Sequence, residues 1–96
     1  MGIGNPYIEN GLSLYTAVAS THVIKTTGNK GFIASVIVGT AGVTSPSLTL
    51  QDSAGVIKAV IDTTAVRTVE LNLKFTDGIN AVNAGATPAK VTITYV

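Results

Sequence analysis

Residues 68–75 read Thr-Val-Glu-Leu-Asn-Leu-Lys-Phe, and this stretch decides the fold more clearly than any other. Large apolar residues alternate strictly with polar ones along its whole length. Because successive side chains of a β-strand point to opposite faces of a sheet, the alternation predicts a strand with one buried face. The residues expected to face a core are Val69, Leu71, Leu73 and Phe75. Those expected to face outwards are Thr68, Glu70, Asn72 and Lys74.

The rest of the chain has a composition that suits the same kind of structure. Threonine, valine and isoleucine make up 35 of the 96 residues. β-Branched residues lose rotamer freedom in a helix but pack well on a pleated sheet. No segment shows a helical stripe. The predicted strands are residues 12–20, 21–26, 32–38, 47–51, 56–61, 68–75, 79–82 and 90–96.

Seven to eight short strands, separated by turns about every 8–12 residues, predict an all-β fold. We expect a compact antiparallel β-sandwich or a small barrel. Residues 14–96 are predicted to form this single domain. Residues 1–13 are predicted to be an N-terminal arm, in which Ile3, Tyr7 and Ile8 favour docking onto the domain or a neighbouring subunit. A frayed terminus is the alternative.

The segment 32–38 departs from simple alternation. One face would carry Phe32, Ala34, Val36 and Val38, and the other Ile33 and Ile37. A strand that is apolar on both faces is expected to be covered on both sides, either as a central strand or at a subunit contact.

Turn chemistry separates the strands. Asp52-Ser53-Ala54-Gly55 predicts a hairpin between segments 47–51 and 56–61, and Asp77-Gly78 is a second hairpin signal. Asp52, Asp62 and Asp77 all lie at strand ends, where Asp side chains commonly bond to the backbone of turns.

Charge is sparse. The net charge is +1, and charged residues form 11% of the chain, against about 25% in an ordinary soluble domain. A basic patch for nucleic acid or anionic lipid is therefore not expected, and no apolar stretch is long enough to span a membrane. Depletion of charge is typical of interface cores and favours a homo-oligomer. A small soluble domain with a Thr-rich face is the alternative.

The residues that usually perform catalysis are almost absent. There is no Cys and a single His, His22, so a hydrolytic triad and a zinc site both lack members. Gly2-Ile3-Gly4 lacks the strand-to-helix context of a nucleotide-binding loop. We therefore expect no enzyme activity, and we assign no catalytic, cofactor-binding or metal-binding residues and no cofactor.

Three stretches in a fixed order carry a resemblance to a known family. They are VIKTTGNKGFIASVIV at residues 23–38, SLTLQDSAGVIKAVIDTTA at 47–65, and LKFTDGINAVNAGATPAKVTITYV at 73–96. Together they resemble small virion proteins of tailed bacteriophages, in particular head decoration (cement) proteins.

This resemblance implies a jelly-roll-like sandwich that assembles as a homotrimer on a capsid. The implied function is a structural virion protein that binds the outer head shell through the major capsid protein and stabilises capsomer contacts. Its implied location is the capsid surface, after assembly in the host cytoplasm. The alternatives are a tail, neck or head-fibre component, or a receptor- or carbohydrate-binding module.

Overall fold

A computed structural model describes residues 12–96 of the chain. The part of the predicted arm that falls on residues 1–11 lies outside the described residues, and Leu12 and Ser13 belong to the first strand. Eight strands follow one another along the chain. They are β1 Leu12–Thr16, β2 Ser20–Lys25, β3 Gly31–Thr40, β4 Ser47–Gln51, β5 Ile57–Asp62, β6 Arg67–Phe75, β7 Ile79–Ala84 and β8 Lys90–Tyr95.

The strands form two four-stranded antiparallel sheets. The first sheet has the order β1-β8-β3-β6, and the second has the order β2-β7-β4-β5. Hydrogen-bonded neighbours therefore include β1 with β8, β2 with β7, β3 with β6, and β4 with β5. This is the pairing of one long hairpin rolled over itself, which is the jelly-roll arrangement. The predicted all-β sandwich is confirmed.

The core lies between the two sheets and is filled by the alternating apolar residues of six strands. Phe75 of β6, Leu48 and Leu50 of β4, and Val91 and Ile93 of β8 are almost fully buried. Val69, Leu71 and Leu73 pack against this core while their polar neighbours are exposed. The faces predicted for segments 47–51, 68–75 and 90–96 are therefore confirmed.

Strand β3 lies between β8 and β6, as a central strand should, but the predicted cover on both faces is absent among the described residues, since Ile37 is 39% exposed. The predicted assignment of its faces is also wrong. Between Ile33 and Ser35 the strand advances two residues while β8 advances one, from Tyr95 to Thr94. Such a bulge shifts the alternation by one residue. Ile33 is consequently buried on the same side as Val36, whereas the sequence placed them on opposite faces.

Of the two hairpins predicted at Asp52 and Asp77, the structure contains one. Residues 52–55 join β4 to its neighbour β5, so the predicted hairpin is confirmed. Asp77-Gly78 joins β6 of the first sheet to β7 of the second, so the predicted hairpin there is wrong. A short Asp-Gly turn is compatible both with a hairpin and with a crossing between sheets. Gly78, at φ +77°, only reverses the chain locally and does not determine which strand pairs with β7.

Candidate interaction surfaces

The three predicted turn carboxylates have structural roles. The Asp52 carboxylate accepts hydrogen bonds from the backbone amides of Ala54 and Val56, at 3.0 and 2.9 Å. The Asp77 carboxylate accepts one from the Gly28 amide at 2.7 Å and so joins the turns that follow β2 and β6. Both side chains therefore hold backbone turns in place, as the sequence predicts for Asp at strand ends.

Asp62 ends β5 and accepts a hydrogen bond from the Thr64 amide at 3.0 Å. Hydrogen bonds from the Thr64 side chain and backbone lower the pKa of Asp62, desolvation opposes them, and the positive charge of Arg67 lowers the pKa further. The Arg67 guanidinium also donates to the Asp62 carbonyl at 2.9 Å. A carboxylate held ionised in this way suits a turn and is poorly suited to act as a proton donor.

His22 lies on β2, and its ring is hydrogen-bonded to two hydroxyl groups. Its Nε2 lies 2.7 Å from Thr16 Oγ1 and 3.0 Å from Ser20 Oγ. In a hydrolytic triad, one ring nitrogen of the His accepts the proton of the Ser, and a carboxylate orients the His through its other ring nitrogen. Within residues 12–96, no carboxylate is hydrogen-bonded to this ring. The contacts join the end of β1 to the start of β2.

The remaining sequence expectations concern metals and membranes. Across residues 12–96 there is no group of three or more His, Asp or Glu side chains that could hold a metal ion. In the same part of the chain, no helix is long and apolar enough to cross a membrane.

One end of the sandwich, here called the loop end, consists of four loops without a charged residue. They are residues 17–19, 41–46, 63–66 and 85–89. The opposite end contains Lys30, Asp52 and Asp77. Backbone hydrogen bonds connect three of the four loops. The Gly42 amide donates to the Thr63 carbonyl at 3.0 Å, and Val43 pairs with Thr87. The loop end is thus a connected surface.

The loop end also has exposed valines and two residues in a left-handed backbone conformation. Val18, Val43 and Val66 are all more than half exposed, one on each of three loops. Thr44 and Ser45 have φ angles of +61° and +52°. A left-handed conformation costs a residue with a Cβ roughly 1–2 kcal/mol, so the bonded neighbours hold this loop in a shape that it would not adopt alone.

The outer face of the second sheet is a second candidate surface, here called the outer second-sheet face, and its charge is confined to the row of Ser47, Ala84 and Asp62 and to the β5 margin. Strand register arranges it in two rows that cross all four strands. The first row is Thr21, Val82, Thr49 and Val60, and the second is Val23, Asn80, Gln51 and Ile57. The outer face of the first sheet differs, because its β6 contributes Glu70 and Lys74.

The most exposed apolar side chains of this face lie at its two margins. Val23 on β2 is 60% exposed, and on β5 the exposed fractions are 58% for Ile57 and 62% for Val60. The charged Lys58 lies at the β5 margin, where the register with β4 shifts. Among residues 12–96, each margin therefore combines a strand edge that has no partner strand with exposed aliphatic groups, a combination typical of sites that associate.

Sequence reasoning found the shortage of charge but did not locate it on the molecule. Val23 and Val60 come from strands that are distant in the sequence, and only the order β2-β7-β4-β5 places them at opposite margins of one face. The signal that could have identified them is the outward position of both residues in predicted strands.

The fold was compared with known proteins. No family model matches the chain, and no curated protein matches it. Among solved structures, it is similar to the nucleoplasmin-like N-terminal domain of Drosophila FKBP39, with TM-score 0.63 and 21% identity over 88% of this chain and 84% of that one. It is also similar to the Drosophila NLP core, described as informing pentamer formation and histone binding, with TM-score 0.62 and 9% identity over 90% and 97% of the two chains.

These likenesses establish that the chain has a nucleoplasmin-like β-sandwich fold. They overturn the prediction of a bacteriophage capsid decoration protein, since the neighbours are nucleoplasmin-like domains. The same finding overturns the alternatives, a tail, neck or head-fibre component or a receptor- or carbohydrate-binding module. A trimer and a major capsid protein partner receive no support either. The predicted location on a capsid surface rested on that function alone.

Proposed function

We propose that this protein is a non-catalytic subunit that associates with copies of itself into a closed ring. The observation that carries the proposal is the outer second-sheet face, which is uncharged along two rows and has exposed aliphatic side chains at both margins. The nucleoplasmin-like fold supports it, because one protein with this fold is described as forming pentamers.

The geometry of the margins favours a ring over a simple dimer. Val23 lies on the β2 edge, and Ile57 and Val60 lie on the opposite β5 edge of the same sheet. A contact between two different surfaces of one subunit repeats from copy to copy and closes when the rotation allows it. The β2 margin of one copy against the β5 margin of the next is such a contact.

The energy of this contact would be mainly hydrophobic. Burying a fully exposed Val or Ile side chain contributes about 1.5–3 kcal/mol. The side chains of Val23, Ile57 and Val60 are each about 60% exposed, so together they would contribute about 3–5 kcal/mol before the cost of association is subtracted. Unpaired backbone groups of β2 and β5 are available for further hydrogen bonds.

Histone binding is not part of the proposal. Attraction to a basic partner requires an acidic surface, and this chain has six Lys and Arg residues against five Asp and Glu. Absence of catalysis is proposed on the composition of the chain, which has one His and no Cys.

The proposal is tested by placing a charge at the contact. Val60→Glu should raise the dissociation constant of the assembly by at least about 100-fold, because it removes about 1–2 kcal/mol of apolar burial and adds a charge that must be desolvated. Tyr15→Glu is the matched control, since Tyr15 is also 62% exposed and lies on an edge strand of the other sheet.

Light scattering coupled to size exclusion measures both variants. The proposal expects Val60→Glu to dissociate while Tyr15→Glu keeps the mass of the unaltered protein. Dissociation by Tyr15→Glu alone would place the contact on the first sheet and contradict the proposal.

A further inference from the structure

The outer face of the first sheet has an open groove of about 430 Å³ at the end opposite the loop end. Its apolar lining comes from Phe32, Phe75 and Val96, and Lys30 and Lys74 also line it. Phe32 of β3 and Lys74 of β6 are opposite each other in the sheet, so the groove runs across the strands. An apolar groove with two cations suits a short apolar segment that carries a negative charge.

The chain enters the domain beside this groove. Strand β1 begins at Leu12, which pairs with Tyr95 of β8. The next residue, Val96, exchanges two backbone hydrogen bonds with Phe32, at 2.9 and 3.2 Å. Whatever precedes Leu12 therefore reaches the domain at the margin formed by Val96.

We propose that the segment of residues 1–11 of the same subunit docks in this groove. The segment contains Ile3, Tyr7 and Ile8, and its one charged side chain is Glu9. The apolar groups match Phe32 and Val96, and the carboxylate matches Lys30 and Lys74. The proposal does not depend on self-association.

Distances allow the match. Neighbouring strands lie about 4.8 Å apart, so β3 is about 10 Å and β6 about 14 Å from β1 across the sheet. Glu9 is three residues before Leu12, and an extended chain covers about 3.3–3.6 Å per residue. Three residues cover about 10–11 Å, so the backbone of Glu9 can reach β3 and Lys30, and the side chains of Glu9 and Lys74 span the remaining distance of about 4 Å to β6. Tyr7 and Ile8 can then cover the groove without crossing to the second sheet.

Paramagnetic broadening locates the segment in the full-length protein. The chain has no Cys, so Asn5→Cys gives a single position for a nitroxide label. The amide signals of Phe32, Lys74 and Thr76 should lose most of their intensity in an isotope-labelled sample, while those of Thr49 and Val60 keep theirs. Even broadening over both sheets, or broadening confined to the second sheet, would overturn the proposal.

Mixing separates docking within a subunit from docking on a neighbour. Spin-labelled protein without isotope label is mixed with isotope-labelled protein that carries no spin label. Intensities at Phe32 should stay unchanged in the mixture. Loss of the Phe32 signal in the mixture shows docking on a neighbouring subunit and contradicts the proposal.

Charge reversal tests whether the Glu9 carboxylate contributes to docking. Glu9→Lys should weaken the broadening at Phe32, and Lys74→Glu added to Glu9→Lys should restore it, because the pair is then re-formed in reverse. Lys58→Glu added to Glu9→Lys is the matched control, since Lys58 lies on the second sheet, and it should restore nothing. Equal restoration by both second substitutions would overturn the role of Glu9 in docking.

Discussion

The backbone of Val43 is paired with that of Thr87 by two hydrogen bonds, with the Val43 amide 2.8 Å from the Thr87 carbonyl and the Thr87 amide 3.3 Å from the Val43 carbonyl. This pair connects the loop after β3 to the loop before β8. The amide of the preceding residue, Gly42, bonds to Thr63 in a third loop. The loop end is consequently preorganised, and its uncharged surface needs little further ordering on contact.

The close approach at Gly42 predicts a large effect from a single methyl group. A Cβ at this position would lie 2.8 Å from the Ala89 amide nitrogen and 2.9 Å from the Thr87 carbonyl oxygen, both of them backbone atoms. We expect Gly42→Ala to lower the free energy of unfolding by about 1–3 kcal/mol. Denaturant unfolding at fixed protein concentration measures this.

Gly39→Ala is the control for that substitution. Its Cβ would meet only the Lys90 carbonyl oxygen, at 3.8 Å. Stability should be unchanged or raised by up to about 1 kcal/mol, since alanine restricts the unfolded chain more than glycine does. Similar losses for both variants would show that the loops are not packed as described.

Two buried threonines are expected to respond in opposite directions to the same substitution. Among the described residues, Thr63 Oγ1 is buried without a hydrogen-bond partner, whereas Thr16 Oγ1 bonds to His22. Thr63→Val should raise the free energy of unfolding by about 1 kcal/mol, because valine replaces an unsatisfied hydroxyl with a methyl group. Thr16→Val should lower it by about 1 kcal/mol. Equal losses in the two variants would contradict this account.

The lowered pKa of Asp62 predicts how its contribution to stability depends on pH. The ionised form is favoured in the folded state, chiefly by hydrogen bonds from Thr64. Its stabilising effect is present above the pKa of the unfolded chain and is lost as the pH falls through the lower folded value. Asp62→Asn should be less stable at neutral pH, and its unfolding midpoint should converge with that of the unaltered protein in acid. A difference that does not change with pH would refute this.

A contact made mainly by aliphatic side chains predicts that self-association depends little on salt. Raising ionic strength from about 0.1 M to about 1 M shortens the Debye length from about 10 Å to about 3 Å, which weakens contacts between exposed charges. Sedimentation across this range should give nearly the same dissociation constant. A weakening of about tenfold, or about 1.4 kcal/mol, would show that charge pairs hold the subunits together.

Much of the fold could be predicted from periodicity alone. The alternation in β4, β6 and β8 placed Leu48, Phe75 and Ile93 in the core, where the structure has them. The bulge at Ala34 was not predictable, because the extra residue in β3 is defined only by its pairing with β8. The Asp77-Gly78 turn likewise carries no information about which sheet the next strand joins.

The candidate surfaces were only partly predictable. Low charge indicated contact, but the row from Thr21 to Val60 exists only once four strands are in register. The function implied by the resemblance to decoration proteins was wrong, because β-rich chains share alternating Thr and Val patterns that encode strands rather than partners. Such a pattern can therefore imply a wrong function while the predicted sandwich is right.

Self-association is the central claim, and the mass of the unaltered protein in solution tests it most directly. Light scattering at micromolar concentration should give a single species with an integral multiple of the 9.8 kDa chain mass, five if the assembly follows the pentamer described for the Drosophila NLP core. A mass of 9.8 kDa at every concentration measured would contradict the account.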